Sequence, residues 1–217
     1  MELTKYKHII WDWNGTLLDD LWLCVESVNQ SLSRRKLPSL TQQRYQELFD
    51  FPVIGFYEQL GFDFEAESFE KLSSEYHAQY EPRWNECGLQ RGAREALEAV
   101  AKAGLTQSLL SAAHQDMLNA GVAHFGLGDY FTQVCGLENK QAKGKVDAGR
   151  KMIEQLGIER GEVLLIGDTV HDYEVAQALG VDCVLVVSGH HRREKLKQCG
   201  VEVFDGLGEI FGLTVTG

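Results

Sequence analysis

The chain has no surplus of basic residues, no close pair of cysteines, no long apolar run, and no internal repeat or low-complexity segment. Each absence removes a class of function. With 21 Lys and Arg against 32 Asp and Glu, the formal net charge is −11, which argues against nonspecific binding to nucleic acid or to an anionic membrane surface. No apolar stretch approaches the ~20 residues of a membrane span, and Met1–Lys7 shows no signal-peptide pattern. The five cysteines, Cys24, Cys87, Cys135, Cys183 and Cys199, are odd in number and widely spaced, unlike the close pairs of zinc sites and redox motifs. They read as ordinary reduced thiols, so a cytoplasmic location is expected.

What remains is a chain of 217 residues, enough for one substantial domain or for a core domain with a smaller one inserted. The most informative stretch is Asp12-Trp13-Asn14-Gly15-Thr16, which follows the apolar run His8-Ile9-Ile10-Trp11. A second acidic turn, Gly167-Asp168-Thr169-Val170-His171-Asp172, follows Val163-Leu164-Leu165-Ile166. Both place a carboxylate where a short buried strand ends, and in an open parallel sheet ligands bind outside the carboxyl ends of the strands. Paired carboxylates there can hold a hard cation through oxygen, and one can attack phosphorus. Asn14, two residues after Asp12, is an amide that neither gives nor takes a proton at ordinary pH.

The rhythm of the rest is uneven. Leu21, Val25, Val28 and Leu32 recur at helical spacing, with Asp19 or Asp20 placed to cap that helix and Pro38-Ser39 to break it. Helical patterns continue through Tyr45–Phe49, Val53–Leu60 and Phe69–Tyr80, with no strand-like alternation until well past Gly88. From Arg91 the text alternates helix and strand, the signature of a parallel sheet. Helices are expected over Ala93–Ala103, Gln115–His124, Val146–Leu156 and Tyr173–Leu179. Strands are expected over Thr106–Ser111, around Val134-Cys135, and over Val163–Ile166, Cys183–Val187 and Val201–Phe204. If the first strand joins this sheet, the all-helical stretch is an insertion standing over its carboxyl end.

Four polar positions recur at these strand ends: Asp12, Ser111, Lys143 or Lys145, and Asp168 with Asp172. Together they resemble the four motifs of the haloacid dehalogenase superfamily of aspartate-nucleophile phosphohydrolases. Val187-Ser188-Gly189-His190 also looks like the segment after the fourth motif in phosphoglycolate-phosphatase-like members. The resemblance implies an α/β fold, a Rossmann-like parallel sheet core (residues 1–17 and 89–217) carrying an inserted all-helical cap (residues 18–88). It further implies Asp12 as nucleophile, forming an aspartyl-phosphate. Mg2+ would be held by Asp12, Asp168 and the backbone carbonyl of Asn14, with Asp172 binding or supporting it. The Ser111 hydroxyl, backbone groups of Ala112 and Ala113, and a lysine would contact phosphate. Lys145 is favoured over Lys143 because it opens the helical run. His114 is a candidate acid whose simpler reading is an exposed histidine. The pair His190-His191 is expected to face different ways, and Arg192–Lys197 to form a solvated helix face.

Most phosphatases of the superfamily carry aspartate two residues after the nucleophile, where it protonates the leaving group. Asn14 departs from that pattern, and general acid–base assistance is typically worth ~10²–10⁴ in rate. The expected function is a magnesium-dependent phosphatase acting on a small phosphorylated metabolite. The alternative is a regulatory module that binds phosphate and metal with little turnover.

Overall fold

The computed structural model describes residues 3–137 and 144–213. In chain order the elements are β1 (His8–Trp11), β2 (Leu18–Asp19), α1 (Leu21–Arg34), α2 (Gln42–Leu48), α3 (Val53–Gln59), α4 (Phe69–Tyr80), β3 (Gly88–Leu89), α5 (Ala93–Lys102), β4 (Thr106–His114), α6 (Gln115–His124), β5 (Gln133–Leu137), α7 (Lys145–Leu156), β6 (Val163–Gly167), α8 (Val170–Leu179), β7 (Asp182–Val186), α9 (Arg193–Leu196), β8 (Val203–Phe204) and α10 (Leu207–Ile210). Six strands form one parallel sheet in the order β5-β4-β1-β6-β7-β8.

Both faces of this sheet are buried, which is why β1, β6 and β7 read largely as apolar runs. On one face Ile9, Trp11, Leu109, Leu164 and Val184 pack with Leu97 of α5, Leu118 of α6 and Ile210 of α10. On the other, Ile10, Leu110, Leu165 and Leu185 pack with Met152 of α7, Val175 and Leu179 of α8 and Leu196 of α9. β1 lies centrally, between β4 and β6, with His8–Trp11 in register with Thr106–Leu109 and with Val163–Ile166. The carboxyl ends of these three strands therefore come together. The chain builds outward on one side of β1 and then returns to the other, the topological crevice where such sheets bind ligands.

Between residues 20 and 87 every regular element is helical. Two strands were not expected: β2 and β3 pair antiparallel as a short ribbon at the two crossings of this segment, Leu18 opposite Leu89 and Asp19 opposite Gly88. Two-residue strands are too short to show alternation. β4 also runs past its expected end at Ser111. Regular pairing with β5 stops at Leu110 and resumes at His114, a bulge-like irregularity that takes in Ser111, Ala112 and Ala113.

Arg192–Lys197 is a solvated face only in part: Glu194 and Lys197 are exposed, while others dock. The Lys195 ammonium donates to the Phe49 carbonyl at 2.6 Å and pairs with Asp50 at 2.9 Å, while Arg192 pairs with Glu47 at 2.6 Å. With Gln46 donating to the Gly189 carbonyl at 2.7 Å, these contacts fasten α2 to the segment after β7. No described helix is long and apolar enough to cross a membrane, and the five cysteines are free.

His8 opens β1 fully buried, its Nδ1 sharing a 2.7 Å hydrogen bond with Thr106 Oγ1. Burial holds its pKa down to about 4, below the ~6.5 of an unfolded chain. Between those values the unfolded chain takes up a proton that the folded one refuses, so this group costs stability as pH falls from about 6.5 to about 4. His8→Leu removes the titration. Chemical denaturation from pH 8 to 4 should show the variant gaining on the wild type by up to ~1.4 kcal/mol per pH unit; a constant difference would overturn the assignment.

Candidate active site

The strand ends deliver a cluster of buried charge. Asp12 leaves the end of β1 7% exposed, and Asp168 and Asp172, at 0% and 2%, flank the start of α8. A ligand oxygen from each of the three carboxylates lies within 4.8 Å of the others. Lys145, the first residue of α7, reaches between them: its Nζ is 2.5 Å from Asp12 Oδ1 and 2.7 Å from Asp172 Oδ1. Lys143 lies outside the described residues.

Local structure fixes each group. Thr169 caps α8 in a reciprocal capping box with Asp172, whose Oδ2 accepts from the Thr169 amide at 3.0 Å and hydroxyl at 2.6 Å. That leaves Asp172 Oδ1 to Lys145. Both oxygens of Asp168 are held: Oδ1 accepts from Thr16 Oγ1 at 2.8 Å and Oδ2 from the His190 amide at 2.6 Å. Gly15 (φ +78°) and Gly189 press against this carboxylate so closely that a Cβ at either would collide with Asp168 Oδ2. Ser111 is 1% exposed, and its Oγ accepts from the Ala113 amide at 3.0 Å. Ser111 and Ala112 line the same cavity as Asp12, Asn14, Lys145 and Asp172. The carboxyl edge thus gathers the expected residues, Ser111 coming from within the irregular stretch rather than from a strand end.

Burial dominates the electrostatics. It pushes Asp12 up to about 6 against the pull of Lys145, and Asp168 up to about 8. Burial also opposes the charge of Asp172, yet Lys145 and the Thr169 hydroxyl hold its carboxyl below the usual range. Three crowded carboxylates facing one ammonium form a donor set suited to an oxygen-loving divalent cation.

A second network, unforeseen from sequence, surrounds Asn14. Asp20 occupies the capping position before α1, but its side chain makes no cap bond. Instead its fully buried carboxylate accepts from Asn14 Nδ2 at 2.7 Å, the Gly15 amide at 2.9 Å and the Tyr80 hydroxyl at 2.7 Å. His190 Nε2 stands 3.5 Å from Asp20 Oδ1. Burial opposes charge on both partners, but their mutual contact lowers the Asp20 carboxyl and raises His190 to about 9. His191 faces away, accepting from the Val170 amide at 3.0 Å. His114, half-exposed, accepts from the Asp116 amide at the start of α6 and does not line the cavity. The available signal was the doublet Asp19-Asp20 beside an amide at position 14, with capping the simpler explanation for a carboxylate there.

Comparison with known proteins speaks to the family and the fold. A 5'-nucleotidase from Pseudomonas aeruginosa is 26% identical over 89% of this chain and 88% of its own length. A phosphoglycolate phosphatase from Pectobacterium atrosepticum is 25% identical over 90% and 86%. In fold, a haloacid dehalogenase-like hydrolase from Streptococcus pneumoniae superposes with a TM-score of 0.82 at 14% identity, covering 96% of this chain and 98% of its own. The family model for haloacid dehalogenase-like hydrolases matches residues 9–186, a span running from β1 through every carboxylate of the site, and the chain belongs to that family.

Proposed function

We propose that this chain is a magnesium-dependent phosphatase that hydrolyses a small phosphorylated metabolite through a phosphoenzyme formed on Asp12. The observation that carries the reading is the buried Asp12 carboxylate at the end of β1, 2.5 Å from a lysine shared with Asp172. Lys145 keeps Asp12 ionised in a place where burial alone would protonate it. Asp12 then attacks phosphorus, the ester P–O bond breaks, and water later cleaves the acyl phosphate to return the carboxylate and release phosphate. Ser111 and the backbone at Ala112 would hold phosphoryl oxygens, and Lys145 would neutralise charge that grows as the bond is made. Asp12, Asp168 and the Asn14 carbonyl would hold Mg2+, with Asp172 beside them. The cation would supply further neutralisation of the phosphoryl oxygens.

Residues 18–88, carrying α1 to α4, are read as the cap over this site, joined to the α/β core (1–17 and 89–217) at the β2–β3 ribbon. A cytoplasmic location belongs to the same reading.

Phosphate release from an aryl phosphate should require magnesium and fall to background in Asp12→Ala and Asp168→Ala, with circular dichroism unchanged. Turnover that survives chelation or persists in Asp12→Ala would overturn the assignment. A wild type no faster than background would favour the low-turnover binding module instead. Lys145→Ala should cost roughly 10²–10³-fold in kcat, the scale of a lost electrostatic stabiliser, and far more than Lys143→Ala; the reverse order would move the role to Lys143.

From the sequence alone, Asn14→Asp should restore a proton carrier. The Asp20 network changes that expectation, because the new carboxylate would face Asp20 at hydrogen-bond distance. The single variant should lose thermal stability and gain no rate on an alkyl phosphate. The double variant Asn14→Asp/Asp20→Asn keeps a donor–acceptor pair while moving the charge, and should regain stability and gain up to ~10²-fold on that substrate. A rate gain in the single variant equal to that of the double would refute the argument.

A further inference from the structure

Above the carboxylate cluster lies a cavity of ≈ 270 Å³, just under the ~300 Å³ at which pockets begin to take drug-sized ligands. That space suits a phosphate and one ring system. Its floor is polar, with Asp12, Ser111 and Lys145. Its walls are built largely from the helical segment and are aromatic, including Phe51, Phe56, Tyr57, Phe69, Tyr76 and Trp84. Two of the lining tyrosines have their hydroxyls engaged by the protein: Tyr80 donates to Asp20 and Tyr76 to Cys24, at 2.7 and 3.1 Å. Their rings are left as apolar surface.

Cations are scarce among the described residues of this chamber. Among the described lining residues there is no arginine and a single lysine, Lys145, already shared by Asp12 and Asp172. The arginines of the helical segment pair elsewhere: Arg34 with Glu75, Arg35 with Glu67 and Glu75, Arg44 with Glu47, and Arg83 with Glu26 and Glu86. The lining histidines also face carboxylates, His190 beside Asp20, His171 beside Glu174 and His77 beside Glu81. Among the described lining residues a second anionic group would meet no arginine and no further lysine, and a charge buried without a counterion costs far more than the contact returns.

A second observation points the same way. Asn14 is committed to Asp20 and Tyr80, so position 14 offers the leaving group no proton. A phenol, with a pKa near the ~10 of tyrosine, departs as its anion far more readily than an alcohol, whose pKa is close to the ~15.7 of water.

We propose that this cavity takes a phosphate monoester of a single aromatic ring system, uncharged apart from the phosphate, and rejects esters that carry a second anionic group. The proposal rests on the reading of Asp12 as a phosphate-ester site.

Two measurements on the purified full chain with Mg2+ test it. In turnover, phenyl phosphate should exceed phosphoglycolate and pyrophosphate in kcat/KM by about tenfold or more, the scale on which apolar pockets discriminate. In calorimetry, which involves no leaving group, benzylphosphonate should bind about tenfold more tightly than phosphonoacetate. Phe51, half-buried, lies tilted against the His171 ring beside Asp172, centroids 4.5 Å apart, and Phe51→Arg should narrow the calorimetric gap. Phosphonoacetate binding as tightly as benzylphosphonate, or a gap indifferent to Phe51→Arg, would overturn the proposal. If no ester turns over at all, the catalytic reading fails, while the two phosphonates still decide what the cavity prefers.

Discussion

The ammonium of Lys145 between Asp12 and Asp172 is the contact on which the rest of the site depends. Burying three charges is a poor way to stabilise a fold, because desolvation offsets most of what Coulomb attraction returns. Removing one partner is worse, since it leaves an uncompensated charge in the interior. The cluster persists because the scaffold determines it: β1 and β6 are neighbours in register, and α7 begins at Lys145 itself. The sheet holds the carboxylates in place, and Lys145 keeps at least two of them charged.

The same scaffold explains why so much of the site was legible in the sequence. A parallel strand buried on both faces has to read as an apolar run, so the residues ending such runs, Asp12 and Asp168, announce themselves. Helix-opening Lys145 and the Thr169-to-Asp172 spacing carry similarly local signals. The short β2–β3 ribbon, the irregular stretch at Ser111 and the docking of Lys195 onto the end of α2 carry none, because each depends on a partner far away in sequence. Asp20 and His190 lie 170 residues apart in the numbering, and no local pattern in this chain joins them. A carboxylate before a helix reads first as a cap, and only its buried partners show it to be something else.

Charge near Asp12 is carried by Asp20 rather than by position 14. The residue two after Asp12 is neutral, yet a carboxylate stands 2.7 Å from its amide, ion-paired with His190 and capped by Tyr80. Asn14 is the donor that this arrangement requires: an acceptor in its place would leave Asp20 facing repulsion in a fully buried position. The substitution at position 14 therefore belongs with Asp20, Tyr80 and His190 as one unit, and its consequences for rate cannot be read from position 14 alone.

That unit also ties chemistry to the shape of the chamber. Tyr80, from α4, donates its hydroxyl to Asp20 and turns its ring toward the cavity, so the contact that holds Asp20 also gives the chamber part of its apolar wall. Cys24, on α1, lies 3.5 Å from Asp20 and accepts from Tyr76, another tyrosine of that wall. Asn14, Asp20, Tyr80, Tyr76 and Cys24 are thus satisfied by one another rather than by a ligand, and a ligand beyond the phosphate meets mostly rings. On the proposed reading, a site whose residue 14 hands no proton to the leaving group, and whose described lining offers a second anion no arginine and no further lysine, suits esters whose leaving group is already stable as an anion and whose body is apolar.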